Sequence, residues 1–127
     1  MSRSMMRIFV KDSQEALELY EHAFNASPAC VHQNQDGTLN HAELDCFGQT
    51  ITLAETKNSV VFGNTMEFCF EFGMKDKDRV FHLYNVLKEG ATINIPLEET
   101  KFSPIWFSLM DRHGVNWFIY VSPHSFD

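Results

Sequence analysis

The chain has 127 residues, 44% of them hydrophobic and 13% aromatic, with 17 acidic against 10 basic side chains and a net charge of −7. That is enough apolar side chain for one packed domain and too many aromatics for a disordered chain. The charge balance offers no basic stripe to phosphates, and no apolar run approaches the roughly 20 residues of a membrane span, so neither nucleic acid nor a membrane is an expected partner.

Residues 5–10 read as a strand, entered with no long hydrophobic leader or small-residue cleavage site, which makes the cytoplasm the expected location. Asp12 or Ser13 is placed to cap a helix, with Glu15 in its first turn. Ala16, Leu17, Leu19, Tyr20, Ala23 and Phe24 then recur at helical spacing, and the helix should end near Asn25 because Pro28 cannot continue it. Residues 29–33 form a second strand, Asn34-Gln35-Asp36-Gly37 a turn, residues 41–47 a third strand, and residues 50–55 a fourth after the break at Gly48-Gln49.

Residues 56–64, polar at both ends, read as a linker. Residues 65–72 make the next strand. Asp76 opens a second helix with apolar positions Val80, Phe81, Leu83, Tyr84 and Leu87, and Gly90 suits the left-handed residue that ends it. Residues 92–96, 105–110 and 115–121 are the last strands, the final pair joined by a turn at Arg112-His113-Gly114.

Both halves, 5–55 and 65–121, therefore read β-α-β-β-β, within a single α+β domain. A weak internal repeat supports this. Asp12 and the segment 16–20 align with Asp76 and 80–84 at an offset of 64, and Gly48 aligns with Gly114 at an offset of 66. Cys30, Cys46 and Cys69 are odd in number and far apart, so neither a disulfide framework nor a zinc knuckle is indicated.

Two motifs carry a family resemblance. His41-Ala42-Glu43-Leu44, followed by Gly48-Gln49-Thr50-Ile51-Thr52-Leu53, is similar to a hairpin of the PhnB-like branch of the vicinal oxygen chelate (glyoxalase/bleomycin resistance/dioxygenase) superfamily. Met110-Asp111-Arg112-His113-Gly114-Val115-Asn116-Trp117 resembles that branch's closing motif. The resemblance implies paired βαβββ modules, curved mixed sheets around a cavity with helices outside, and a homodimer. In the family's metal-dependent members, His and Glu from both modules hold a divalent ion that substrates chelate through neighbouring oxygens.

This chain departs from that metal pattern. Four residues beyond Gly114, where those enzymes carry Glu, stands Phe118, and the openings Met5-Met6-Arg7 and Thr65-Met66-Glu67 lack the usual His. Glu55 falls near one expected carboxylate position, but one ligand does not hold a metal. No cofactor is therefore expected, with a divalent metal kept as an alternative. No glycine-rich loop follows the first strand to hold a methyl donor.

Strand alternation puts His41, Glu43 and Asp45 on one face, where His41 is the candidate catalytic base or ligand and Glu43 a ligand-binding partner; a structural histidine on a wet face is the alternative. Glu67, Cys69 and Glu71 form a second polar face. Glu67 and Glu71 would lie about 13 Å apart, too far to share a metal or a proton. Glu67 is kept as a second catalytic candidate, and Glu55 and Cys69 as ligand-binding ones. The acidic neighbours of Cys69 should keep its thiol protonated. Trp106, Trp117 and Tyr120 are candidates to hold a small apolar or aromatic ligand, packing or a dimer contact being the alternatives. Asp111 to Gly114 reads as a structural turn, His22 and His82 as helix-surface residues, and His124 as part of the tail.

The function expected is a small-molecule-binding protein that has lost the family's metal site. The alternatives are a metal-dependent isomerase or lyase with a relocated site at His41, Glu55 and Glu67, and a non-catalytic structural homodimer.

Overall fold

Alternation of buried and open side chains along the strands decides which face of each sheet meets a helix. The structure, a computed structural model, describes residues 2–98 and 104–122. Its contacts divide the chain into a unit Met1–Val61 and a unit Phe62–Asp127, a division that falls inside residues 56–64.

The first unit contains β1 (Met6–Val10), α1 (Ser13–Phe24), β2 (Cys30–Gln33), β3 (Leu39–Cys46) and β4 (Gln49–Glu55). The sheet order is β1-β4-β3-β2, with β1 parallel to β4 and the other pairs antiparallel. Helix α1 lies against β3 and β4. Its stripe of Ala16, Leu17, Leu19, Tyr20, Ala23 and Phe24 is buried, as are Ala42, Leu44, Ile51 and Leu53. Each fully buried Leu or Ile in such a layer contributes about 1.5–3 kcal/mol.

The start of α1 corrects the expected cap. Asp12 adopts a left-handed backbone (φ 53°, ψ 52°) and its side chain makes no capping bond. The free amide of Ser13 donates instead to Glu55 Oε1 at 2.9 Å, and the Ser13 hydroxyl oxygen accepts from the Leu39 amide at 2.8 Å. A strand carboxylate thus satisfies the electropositive helix end. The helix stops as expected at Asn25, which is left-handed, with the Ala26 amide donating back to the Glu21 carbonyl at 3.0 Å.

The second unit contains β5 (Phe68–Phe72), α2 (Lys77–Leu87), β6 (Thr92–Ile95), β7 (Trp106–Met110) and β8 (Asn116–Val121). Its order, β5-β8-β7-β6, and its single parallel pair, β5 with β8, repeat the first unit. A 3-10 turn, Met74–Asp76, leads into α2. The buried positions of α2 are Val80, Leu83 and Leu87. Tyr84 is half-buried with its ring 5.1 Å from that of Phe107. Trp117, Ile119 and Val121 fill the covered side of β8.

The hairpin glycines do what positive backbone angles require: Gly48 has φ 94° and Gly114 φ 86°. Two strand starts differ from the sequence reading by more than one residue. β3 starts at Leu39 rather than His41, because the chain bulges next to the turn. β5 starts at Phe68 rather than residue 65, which leaves Glu67 outside the strand. Among the described residues, no helix is long and apolar enough to cross a membrane. His124 lies outside the described residues.

Candidate functional site

The bulge in the β2–β3 pairing determines which side chains meet. At the turn, the Asn34 amide donates to the Thr38 carbonyl at 2.8 Å. Between Gln33 and His32 the register slips by one residue, so that His32 stands opposite His41 and Cys30 opposite Glu43. All four side chains then share the sheet face that α1 does not cover.

His41 Nε2 and Glu43 Oε2 are 2.9 Å apart, and Arg3 Nη2 pairs with Glu43 Oε1 at 3.0 Å. The hydrogen bond from His41, then the Arg3 guanidinium, hold the Glu43 carboxyl below its usual range against the opposing cost of desolvation. Partial burial, and next the Glu43 carboxylate, push the Cys30 thiol up. The ligand-capable atoms of Cys30, His41 and Glu43 all lie within 4.8 Å of one another. The His32 and His41 rings are 6.4 Å apart.

In the second unit the uncovered face is aromatic. Trp106, Phe118 and Tyr120 stand on adjacent strands or alternate positions, with centroid separations of 5.6 Å for Trp106–Phe118 and 5.5 Å for Phe118–Tyr120. Cys69 and Glu71 flank them in register on β5. A hydrogen bond to the Glu71 carboxylate holds the Tyr120 phenol above its usual range. Burial, followed by Glu67 and Glu71, raises the Cys69 thiol.

The remaining candidates have other surroundings within their own units. Trp117 is 1% exposed on the covered side, and its indole N–H donates to the buried Asp111 carboxylate at 2.8 Å, which makes it a core residue with no surface for a ligand. Glu55 is held by the Ser13 amide. Glu67 is exposed ahead of β5, in the unit that does not contain His41. Sequence reasoning passed over Cys30, His32, Arg3 and Phe118. The parity of Phe118 with Trp106 and Tyr120 was available from alternation alone. The pairing of Cys30 and His32 depended on the bulge.

No family model and no curated protein matches the chain. Among solved structures it is similar to a PhnB protein from Bacillus cereus, with a TM-score of 0.79 and 18% identity, covering 95% of this chain and 100% of that one. It is similar to the fosfomycin resistance protein FosX from Listeria monocytogenes, with a TM-score of 0.70 and 12% identity over 95% and 91% of the two chains. TioX from Micromonospora sp. ML1 gives a TM-score of 0.56 and 18% identity over 94% and 98%. At these identities the likeness is one of fold. The chain has the PhnB-like vicinal oxygen chelate fold, also called the glyoxalase/bleomycin resistance fold.

One FosX structure contains Mn(II) with 1S,2S-dihydroxypropylphosphonic acid. At the positions where the resemblance implies metal ligands, Phe118 has no donor atom, Glu55 Oε1 accepts the Ser13 amide, and the regions Met5-Met6-Arg7 and Thr65-Met66-Glu67 contain no histidine.

Proposed function

We propose that the protein binds a small apolar or aromatic molecule on the uncovered face of the second sheet, and that it does so as a homodimer without a metal at the family's ligand positions. The observation that carries this reading is the row Trp106–Phe118–Tyr120. Large rings on the sheet face opposite α2 carry apolar surface that is partly open, Trp106 being 38% exposed, and such a row offers stacking area with a polar rim at Tyr120 and Glu71. The net charge of −7 and the Glu71 carboxylate favour a neutral or cationic ligand over an anion. The PhnB, FosX and TioX folds support this class of protein without naming the ligand.

The test is titration with the neutral fluorescent probe N-phenylnaphthylamine, with sedimentation of the same samples. Saturable binding to a dimer is expected, weakened at least about tenfold in Trp106→Ala, the loss of about 1.4 kcal/mol that an aromatic contact supplies. Absence of saturable binding overturns the reading. So does a dimer that dissociates in Trp106→Ala, since the aromatic row is then a subunit contact.

A further inference from the structure

The β2–β3 hairpin carries a second cluster whose chemistry the aromatic face does not use. Opposed register places Cys30 beside Glu43 and His32 beside His41 on one face of two adjacent strands. Such a two-by-two arrangement brings thiol, imidazole and carboxylate donors together on a rigid element, close to a turn. We propose that Cys30, His41 and Glu43 bind one zinc ion, with the fourth position open on the side where His32 stands.

Three observations support the assignment. The first is distance. Two zinc–ligand bonds of about 2.0–2.3 Å span at most about 4.6 Å, and the three donor atoms already lie within 4.8 Å of one another, so small side-chain movements close the site.

The second is how Glu43 is held. Arg3 Nη2 lies 3.0 Å from Oε1 and donates to Oε2 at 3.2 Å, while Oε2 also faces His41 Nε2 at 2.9 Å. The ion takes the place of the proton between Oε2 and Nε2, the neutral His41 ring then carrying its one proton on Nδ1 and any further proton leaving to solvent, and Arg3 keeps the carboxylate aimed, as an outer partner does for a metal-bound ligand. The Cys30 thiol gives its proton to solvent as the zinc–sulfur bond forms. One thiolate and one carboxylate then balance the double positive charge.

The third is donor type. A thiolate with an imidazole suits zinc or cobalt and disfavours magnesium and manganese, which prefer oxygen. The site also differs in place from the one that the family resemblance implies. It lies wholly within β2 and β3, on residues of one unit, and does not depend on the aromatic face.

The test is titration of the metal-free full chain with cobalt(II), followed by displacement with zinc(II). One equivalent of cobalt is expected, with a thiolate-to-metal charge-transfer band that one equivalent of zinc removes and excess magnesium does not. Cys30→Ser should abolish the band. His41→Ala and Glu43→Gln should each weaken zinc binding at least about tenfold. Cys69→Ser, in the other unit, should leave it unchanged. Because a variant that fails to fold would mimic loss of a ligand, the wild-type amide spectrum is read alongside, and zinc should shift resonances concentrated at 30–32 and 41–43. Absence of a thiolate band, a band that survives Cys30→Ser, or zinc-induced shifts centred elsewhere overturns the proposal.

Discussion

Asp111 is 1% exposed, and its carboxylate accepts from the His113 amide at 2.9 Å and the Val115 amide at 3.1 Å on Oδ1, and from the Trp117 indole at 2.8 Å on Oδ2. A buried carboxylate is costly unless its oxygens are satisfied, and bonds to a charged acceptor contribute about 1.5–3 kcal/mol each. Trp117→Phe keeps a ring in the core but removes the indole N–H that donates to Oδ2. We expect a loss of about 2–3 kcal/mol in urea unfolding followed by circular dichroism, with the binding of an aromatic probe at Trp106 retained. An unchanged midpoint would show that the indole bond contributes nothing net. This residue also marks a limit of strand parity as a guide to function. Parity separates Trp117 from Phe118 and Tyr120, yet with aromatics on both faces it does not say which face the helix covers. The burial of Trp117 at the foot of the Asp111 turn decides it.

At the level of elements, α1 is fastened by a residue that sequence proximity does not suggest. Glu55, at the end of β4, accepts the Ser13 amide, and Ser13 in turn accepts the Leu39 amide, so one serine links helix, β3 and β4. Glu55→Ala should cost about 0.5–2 kcal/mol in thermal or urea unfolding, the range for loss of a helix cap, while Asp12→Ala should cost less because the Asp12 side chain makes no capping bond. The reverse ranking would refute the cap assignment. The helices, the Gly48 and Gly114 hairpins and the inward set of β3 were legible in the sequence, because each follows from local periodicity or backbone freedom. The cap was not legible, since it spans 42 residues. The Cys30–His41–Glu43 cluster was not legible for a related reason. Counting outward from the pairing of Asn34 with Thr38 would set Cys30 against Ala42, on the wrong face. Only the one-residue bulge moves it against Glu43.

On the scale of the whole molecule, the two units repeat not only strand order but also how they close. The Thr56 amide donates to the Val10 carbonyl at 2.9 Å in the first, and the Ser122 amide donates to the Phe72 carbonyl at 2.7 Å in the second. The sequence repeat at offsets of 64 and 66 announced this, although only a few residues match, because it preserves turn glycines and helix stripes rather than identities. The units differ in how their helices begin. The first turn of α1 is completed by Glu55 and Leu39, far along the chain, whereas α2 is led in by the adjacent Met74–Asp76 turn, with the Asp76 amide donating to the Gly73 carbonyl at 3.0 Å. Contacts between distant residues form late because loop closure must come first, while a local turn can nucleate a helix early. In refolding followed by pulsed hydrogen exchange, the amides of α2 should therefore gain protection before those at the start of α1, and simultaneous protection would contradict this order. Two halves built to one plan would then assemble on different schedules, the second from a short-range seed and the first only once the last residue of β4 has arrived.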